Sequence, residues 1–255
     1  LQSANKLKLF ITATTGYSHI DKSFLDQKNV SLFTLADQKH ITANLTAAAE
    51  HTWLLLMSVA RKITQAHNHV VNGGWDRNLF PGIMLRGKTL GVIGCGRIGI
   101  WMSKYAKGFD IKVLGYDVYN INNDNSNNIE YCDLNELLQK SDFISINIPL
   151  NSETHNFLNK DRLKLIKKSA LIVNTSRGEV LDEIYLLYML ENNLISGAGL
   201  DVLIGEPEVK NHPLVVYAKN NTNLILTPHI GGFSPESLDI VFKFSSKRIL
   251  NFFNE

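Results

Sequence analysis

One segment near the middle of the chain constrains the fold more than any other. A short apolar run, residues 90–93, is followed by Gly94, Gly96 and Gly99 in G-x-G-x-x-G spacing. The first glycine permits a tight turn, the second lets a pyrophosphate approach the backbone, and the third lets a helix pack close to a strand. The segment therefore predicts a strand, a glycine turn and a helix, the first part of a dinucleotide-binding unit.

The residues that follow indicate which dinucleotide is bound. A second apolar run, residues 111–116, ends at Asp117, at the usual distance from the glycines. A carboxylate there accepts hydrogen bonds from a ribose 2′-hydroxyl and repels a 2′-phosphate. The start of the predicted helix presents free N–H groups and a positive dipole to the phosphates. The pattern predicts binding of NAD and disfavours NADP.

Apolar strands and helical stretches alternate along the rest of the chain. The strand candidates are residues 90–93, 112–116, 143–148, 170–174, 197–202 and 223–227, and the helix candidates between them are residues 97–107, 134–140, 160–167 and 182–193. This alternation predicts an α/β fold with a doubly wound parallel sheet and right-handed crossovers, as in a Rossmann domain. A last helix is expected over residues 236–253.

The first part of the chain predicts a smaller α/β unit. Strand candidates at residues 8–12 and 30–35 flank a short helix that Asp21 can cap. Residues 46–71 then predict one long helix that is apolar on more than one face and ends at Gly73. We interpret this helix as the connection between two domains, with its second face available to a partner subunit.

Composition excludes several classes of protein. A net charge of +2 gives no sign of a nucleic-acid or membrane-surface footprint. The apolar run at residues 53–57 is too short to span a bilayer, and no signal peptide is visible, so we expect a cytoplasmic protein. Cys95 and Cys132 cannot form a disulfide framework, and no His, Cys, Asp or Glu spacing predicts a metal site.

Three side chains that follow the predicted strands form a coherent chemical set. Ligands of open α/β sheets bind beyond the carboxyl ends of the strands, where Arg177, Glu206 and His229 are expected. The arginine offers a charged fork for a carboxylate, the histidine exchanges a proton near neutral pH, and the glutamate can orient the imidazole. Beside a nicotinamide, this set predicts hydride transfer on a 2-hydroxy or 2-keto acid.

Each of these side chains also has an ordinary structural explanation. Arg177 could pair with a surface carboxylate, Glu206 could be a loop acid, and His229 could be packed in its loop. Their joint position at the strand ends of one nucleotide-binding fold favours the functional interpretation.

A series of sequence blocks resembles a known enzyme family. The blocks are TTGYSHID, AAEHTWLLLMSVARKI, LRGKTLGVIGCGRIG, INIPLNSETHNFLN, LIVNTSRGEVLDE, GLDVLIGEPE and LTPHIGGFSPES. In this order they are similar to the NAD-dependent D-isomer-specific 2-hydroxyacid dehydrogenases, which include phosphoglycerate, glycerate and D-lactate dehydrogenases. The resemblance implies that Arg177, Glu206 and His229 are the catalytic residues, and that the protein is a homodimer formed through its nucleotide domains.

The resemblance also implies which residues surround the ligands. The cofactor-binding residues it implies are Gly94, Gly96, Arg97, Ile98, Gly99, Asp117, Pro149, Thr154, Thr175, Ser176, Arg177, Asp201, His229, Gly231 and Gly232. Thr15 and Gly16 match the segment whose backbone N–H groups bind the substrate carboxylate, together with Arg177.

The family pattern further implies a division of the chain. Residues 1–46 are expected to be part of a flavodoxin-like substrate domain, residues 47–229 the NAD-binding Rossmann domain with its leading helix, and residues 230–255 a return to the substrate domain. Family members carry a further βα stretch ahead of Lys8, so we expect an N-terminally truncated chain with a partial substrate domain. Ser18 replaces an aspartate that is common in its block.

The substrate remains open at this point. Overall likeness favours a phosphoglycerate-dehydrogenase-like enzyme, although no single residue identifies the acid. Glu206 argues against a formate-type enzyme, because those members lack this glutamate. An alternative from a different class is a non-catalytic NAD(H)-sensing corepressor of the same fold, which can retain all three side chains.

Overall fold

The computed structural model describes residue 4 and residues 6–17, 20–36, 38–118 and 128–254, so Ser18 lies outside the described residues. Contacts within the chain divide it into two compact units. One unit combines Leu1–Ala47 with Gly232–Glu255, and the other is Ala48–Gly231. A substrate-binding role for the first unit stays a prediction.

The smaller unit contains a two-stranded parallel sheet. Its elements, numbered in chain order, are β1 (Leu9–Ile11), α1 (Lys22–Gln27), β2 (Ser31–Phe33), α2 (Lys39–Thr42) and α10 (Pro235–Asn254). As predicted, Asp21 caps α1, accepting a hydrogen bond from the Phe24 N–H at 2.9 Å. Leu35 and Leu45 pack with Val241 of α10 in a small apolar core, which joins the two separate stretches of chain into one unit.

The larger unit contains, within the described residues, a seven-stranded sheet with parallel pairing throughout. Its strands are β3 (Thr89–Ile93), β4 (Lys112–Tyr116), β5 (Glu130–Tyr131), β6 (Phe143–Ile146), β7 (Leu171–Asn174), β8 (Gly197–Leu200) and β9 (Leu224–Leu226). The order across the sheet is β5-β4-β3-β6-β7-β8-β9. This order confirms the doubly wound Rossmann fold, whose ligand crevice opens at the reversal between β3 and β6.

Helices cover both faces of this sheet. They are α3 (Ala47–Arg61), α4 (Ile63–Val71), α5 (Arg97–Gly108), α6 (Leu134–Lys140), α7 (Lys160–Leu163), α8 (Glu183–Glu191) and α9 (Pro213–Ala218). Two buried apolar clusters result, one packed around α6 and α8 and the other around α3 and α5. Strands buried on both faces explain why the sequence shows continuous apolar runs with no polar alternation.

The prediction of one helix over residues 46–71 is wrong, because the helix breaks at Lys62. This residue has φ +51° and ψ +37°, in the left-handed region, and it separates α3 from α4. The Ala60 carbonyl accepts a hydrogen bond from the Ile83 N–H at 2.8 Å, and the Lys62 N–H reaches the Val59 carbonyl at 3.3 Å. A tertiary hydrogen bond therefore takes an acceptor that a continuous helix would use for itself.

Smaller differences concern short elements. β5 and α9 were not predicted, because their two and six residues are too few to give a clear periodicity. The helix predicted over residues 160–167 ends at Leu163. The remaining strands and helices of the larger unit lie within about two residues of their predicted bounds, the usual uncertainty of element ends.

Two glycines of α5 provide a matched test of its packing. A Cβ on Gly99 would overlap the Gly94 carbonyl oxygen, whereas a Cβ on Gly108 meets no atom within 4 Å. We expect Gly99→Ala to lower the free energy of unfolding by about 1–3 kcal/mol through overpacking. Gly108→Ala should raise it by up to about 1 kcal/mol, through better helix propensity. Chemical denaturation of both variants checks this, and equal effects would contradict the close packing of α5 on the glycine turn.

Candidate active site

The glycine turn joins β3 to α5 and has room for a ligand. Gly94 has φ +89°, and a Cβ there would also lie 2.8 Å from the Asn147 carbonyl oxygen, so the position requires glycine. A Cβ on Gly96, by contrast, would meet no described atom within 4 Å. This open space in front of the first turn of a helix fits a pyrophosphate, which the free N–H groups and the helix dipole would stabilise.

The residues beside the turn continue this site. Arg97 and Ile98 are the first residues of α5, and both are half-buried. Asp117 follows β4, the neighbour of β3, and its Oδ2 accepts a hydrogen bond from the Cys95 N–H at 2.8 Å. The carboxylate is thereby held against the glycine turn, the position expected for binding an adenine ribose.

Glu206 and His229 lie in contact beyond the ends of β8 and β9. His229 Nδ1 lies 2.5 Å from Glu206 Oε1. The other carboxylate oxygen accepts a weaker hydrogen bond from the Leu203 N–H at 3.4 Å. With Nδ1 held by a carboxylate, Nε2 is the nitrogen that can exchange a proton with a ligand. The side chain of His229 keeps 43% of its surface exposed, so a ligand can reach it.

Asp201, at the end of β8, organises the turn that carries His229. This buried carboxylate accepts hydrogen bonds from the Ile230 N–H at 2.9 Å, the Gly231 N–H at 2.7 Å and the Thr227 hydroxyl at 2.6 Å. Burial raises the pKa of Asp201, but hydrogen bonds from His51, Thr227, Ile230 and Gly231 outweigh it and lower the pKa overall. The Asp201 carbonyl also accepts from the His229 N–H at 2.8 Å, so one residue fixes the whole turn.

His51 belongs to this cluster, although the sequence analysis did not single it out as a site residue. Its Nε2 lies 3.0 Å from the Thr227 hydroxyl and 3.2 Å from Asp201 Oδ1. The next residue, Thr52, is fully buried and its hydroxyl lies 2.6 Å from the Thr175 hydroxyl, so α3 contacts the ends of all three strands β7, β8 and β9. The signal in the sequence was that polar His51 and Thr52 stand within a largely apolar helix, since a buried polar group needs a partner.

Arg177 is held by the turn that follows β7. The buried side chain of Asn174 accepts from the Ser176 N–H at 3.0 Å and from its hydroxyl at 2.8 Å, and donates to the Arg177 carbonyl at 2.8 Å. The guanidinium of Arg177 donates to the Ser176 carbonyl at 2.7 Å. The turn is thus rigid where a substrate-binding arginine is predicted.

The turns that follow β7 and β8 pack directly on each other. A Cβ on Gly178 would lie 2.5 Å from the Leu203 carbonyl carbon and would overlap the Ile204 nitrogen. Only glycine allows this approach. The structure therefore joins Glu206 to His229 by a hydrogen bond, and places the residue after Arg177 against the segment that leads to Glu206.

The other predicted site residues lie at turns. The Thr154 hydroxyl donates to the Pro149 carbonyl at 2.6 Å, which closes the loop after β6. Thr15, Gly16 and Gly232 belong to the smaller unit, where the Gly16 carbonyl accepts from the Thr14 hydroxyl at 2.7 Å. The ligand-binding roles assigned to all these residues stay predictions.

Two kinds of feature are missing from the part of the chain that the structure describes. None of its helices has the length and apolar character needed to cross a membrane. Its His, Cys, Asp and Glu side chains form no group of three or more that could hold a metal ion.

Comparison with known proteins gives the family. Residues 53–231 match the family described as D-isomer specific 2-hydroxyacid dehydrogenase, NAD binding domain. The chain is 35% identical over 257 residues to glyoxylate reductase from Thermofilum pendens, covering 98% of this chain and 73% of that protein. It is 38% identical over 240 residues to D-3-phosphoglycerate dehydrogenase from Methanocaldococcus jannaschii, covering 93% of this chain and 44% of that protein.

A solved structure agrees with this result. D-lactate dehydrogenase from Aquifex aeolicus, complexed with NAD and lactic acid, superimposes with a TM-score of 0.85 at 30% sequence identity. The superposition covers 98% of this chain and 76% of that one. The chain therefore belongs to the D-isomer specific 2-hydroxyacid dehydrogenase family and is an NAD-dependent oxidoreductase, as its sequence blocks predict.

Proposed function

We propose that this protein transfers a hydride between NAD and C2 of a small D-2-hydroxy acid, with His229, Glu206 and Arg177 acting on the substrate. The observation that carries the proposal is the 2.5 Å contact between His229 Nδ1 and Glu206 Oε1. The pair lies at the carboxyl edge of the same parallel sheet as the glycine turn, where ligands of this fold bind.

The proposed chemistry follows from these side chains. When bound, the nicotinamide takes a hydride from the hydroxy acid or returns one to the keto acid. His229 Nε2 accepts the hydroxyl proton in oxidation and returns it in reduction. Glu206 fixes the tautomer of the imidazole and stabilises its protonated form. Arg177 binds the substrate carboxylate and the neighbouring oxygen through its planar fork.

The remaining predicted residues complete the proposed site. Gly94, Gly96 and Gly99 bind the pyrophosphate, together with the first turn of α5 at Arg97 and Ile98. The other proposed cofactor contacts are Asp117 at the ribose, Pro149, Thr154, Thr175 and Ser176 along the nicotinamide half, and Asp201, Gly231 and Gly232 around the ring. Thr15 and Gly16 would bind the substrate carboxylate through their backbone N–H groups.

For the acid itself, the names of the relatives support two candidates. We propose a phosphoglycerate-like acid, since 240 residues are 38% identical to a D-3-phosphoglycerate dehydrogenase. Glyoxylate is the second candidate, because the chain covers 73% of a glyoxylate reductase but 44% of that phosphoglycerate dehydrogenase.

The first test is turnover. We expect NADH oxidation, followed by absorbance, with at least one of glyoxylate, pyruvate, hydroxypyruvate and 3-phosphohydroxypyruvate. His229→Asn should lower kcat by about 10²–10⁴-fold, because it removes the proton donor. His40→Asn, a change at an exposed histidine of α2, is the matched control and should leave kcat near wild type. NADH binding without turnover of any acid would instead favour the NAD(H)-sensing alternative.

The second test concerns cofactor choice. Asp117→Asn removes the charge but keeps an oxygen for the Cys95 N–H. We expect the ratio of kcat/KM for NADH to kcat/KM for NADPH to fall by about tenfold or more, because repulsion of the 2′-phosphate is lost. Asp161→Asn, which neutralises an exposed carboxylate of α7, should leave this ratio unchanged. An unchanged ratio in Asp117→Asn would contradict its role at the ribose.

We also propose that the protein is a homodimer that forms through the segment containing α4. No residue of α4 is buried, and large apolar side chains there and just beyond lie in solvent, with Val71 64%, Trp75 89% and Met84 76% exposed. Apolar surface of this kind, concentrated in one segment, typically marks an interface. A second copy of the chain is the occupant that the family resemblance supports.

The dimer proposal predicts a change in mass. Trp75→Glu combined with Met84→Glu should give a monomer by light scattering, because two charges would be buried without partners. Ile184→Glu is the control, since Ile184 is 84% exposed on α8 and lies outside the proposed interface. A monomeric wild type, or a dimer that withstands both substitutions, would overturn the proposal.

A further inference from the structure

A second carboxylate lies behind the segment that leads to Glu206. Glu183, the first residue of α8, is 5% exposed. Its Oε1 accepts a hydrogen bond from the Ile204 N–H at 3.1 Å, and its Oε2 lies 3.0 Å from His212 Nε2. A carboxylate is costly to bury unless both oxygens are satisfied, so this arrangement calls for an explanation.

Two consecutive peptide N–H groups donate to two different glutamates. The Leu203 N–H points to Glu206 Oε2 at 3.4 Å, and the Ile204 N–H points to Glu183 Oε1 at 3.1 Å. By binding the Ile204 N–H, Glu183 therefore fixes the orientation of this segment. The preceding N–H, that of Leu203, then points to Glu206.

Glu183 also contacts the turn that carries the arginine. A Cβ on Gly178 would lie 3.0 Å from Glu183 Oε1 and 2.5 Å from the Leu203 carbonyl carbon. Gly178 directly follows Arg177. One buried carboxylate therefore lies against both the turn that carries Arg177 and the segment that leads to Glu206.

The imidazole on the far side of Glu183 is held as a donor. His212 caps α9, its Nδ1 accepting from the Leu214 N–H at 3.3 Å. The ring proton must then be on Nε2, which donates to Glu183. Burial lowers the pKa of His212, so the ring stays neutral at pH 7. Glu183 therefore faces two fixed N–H donors. The Ile204 N–H lies 3.1 Å from Oε1 and 3.3 Å from Oε2, and His212 Nε2 lies on the Oε2 side.

We propose that Glu183 is a positioning residue, which holds Glu206 against His229 by binding the Ile204 N–H and keeps both in register with the Arg177 turn. This inference rests on the proposed roles of Glu206 and His229. Glu183 itself touches neither substrate nor cofactor in this account.

The charge of Glu183 predicts how pH should change its hydrogen bond to the Ile204 N–H. Burial raises the pKa of Glu183 to about 7; the Ile204 hydrogen bond opposes this, and the charges of Glu179 and Glu206 add to it. His212 Nε2 lies 3.0 Å from Glu183 Oε2, and Asp182, the residue before Glu183, caps α8. Below that pH, protonated Glu183 would carry an O–H that faces either the Ile204 N–H or His212 Nε2. This would weaken its hydrogen bond to the Ile204 N–H.

The test measures kcat and the KM for NADH in the full chain. Glu206→Gln is the reference and should lower kcat by about tenfold or more at an unchanged KM for NADH, because the imidazole loses its orienting carboxylate. Glu183→Gln should lower kcat by about fivefold or more in the same way, because Glu206 is then held less precisely. A purely structural role would lower the melting temperature and leave the kcat of the folded enzyme in place.

A double variant tests the geometry. Glutamine has one side-chain oxygen and one NH₂ group. In Glu183→Gln the NH₂ group must therefore face a donor, either the Ile204 N–H or the His212 Nε2–H. His212→Asn keeps a capping oxygen for α9 but removes the Nε2 donor. We therefore expect Glu183→Gln with His212→Asn to recover kcat/KM at least about threefold over the single variant. No recovery would contradict this orientation.

The outcomes separate the two proposals. If Glu206→Gln leaves kcat unchanged, the proposed function fails. If it lowers kcat while Glu183→Gln leaves both kcat and kcat/KM at wild-type values, the role of Glu183 is overturned. Should Glu183→Gln not fold, Glu183→Asp provides the test, because it keeps the charge but not the reach. It should lower kcat without changing the KM for NADH, and a wild-type kcat would overturn the proposal.

Discussion

The parallel pairing of β7, β8 and β9 is the constraint on which the rest of the larger unit depends. Because these neighbours run in the same direction, their carboxyl ends share one edge, and the turns that follow them lie side by side. Arg177, Glu206 and His229 are far apart in sequence, and only the shared sheet edge brings the segments that carry them side by side. A one-residue shift in the register of any of these strands would reverse which side chains face the core, and the turns would no longer be aligned.

Buried polar side chains convert this shared edge into a defined geometry. Asn174 holds the turn after β7, Asp201 holds the turn after β9, and Glu183 holds the segment after β8. All three bind backbone groups, so each fixes the direction of the chain as well as one contact. Turns held by buried hydrogen bonds are ordered before any ligand arrives, which is how proteins lower the cost of orienting reacting groups.

The parts of the fold that could be predicted are those encoded by local pattern. The glycine spacing and the apolar runs predict the Rossmann sheet, because each glycine has a distinct steric task and each buried strand a continuous apolar run. The break at Lys62 could not be predicted, since it depends on a hydrogen bond between Ala60 and the distant Ile83. His51 and Glu183 were missed for the same reason. Their partners are brought to them only by the tertiary structure.

The most direct measurement is a crystal structure of the protein with NADH and a bound 2-keto acid or an unreactive analogue. We expect His229 Nε2 within about 3 Å of the keto oxygen, the guanidinium of Arg177 on the carboxylate, and Glu206 still on Nδ1. A ligand bound at another place on the molecule, or an ordered ligand whose keto oxygen has no hydrogen bond to His229, would contradict it.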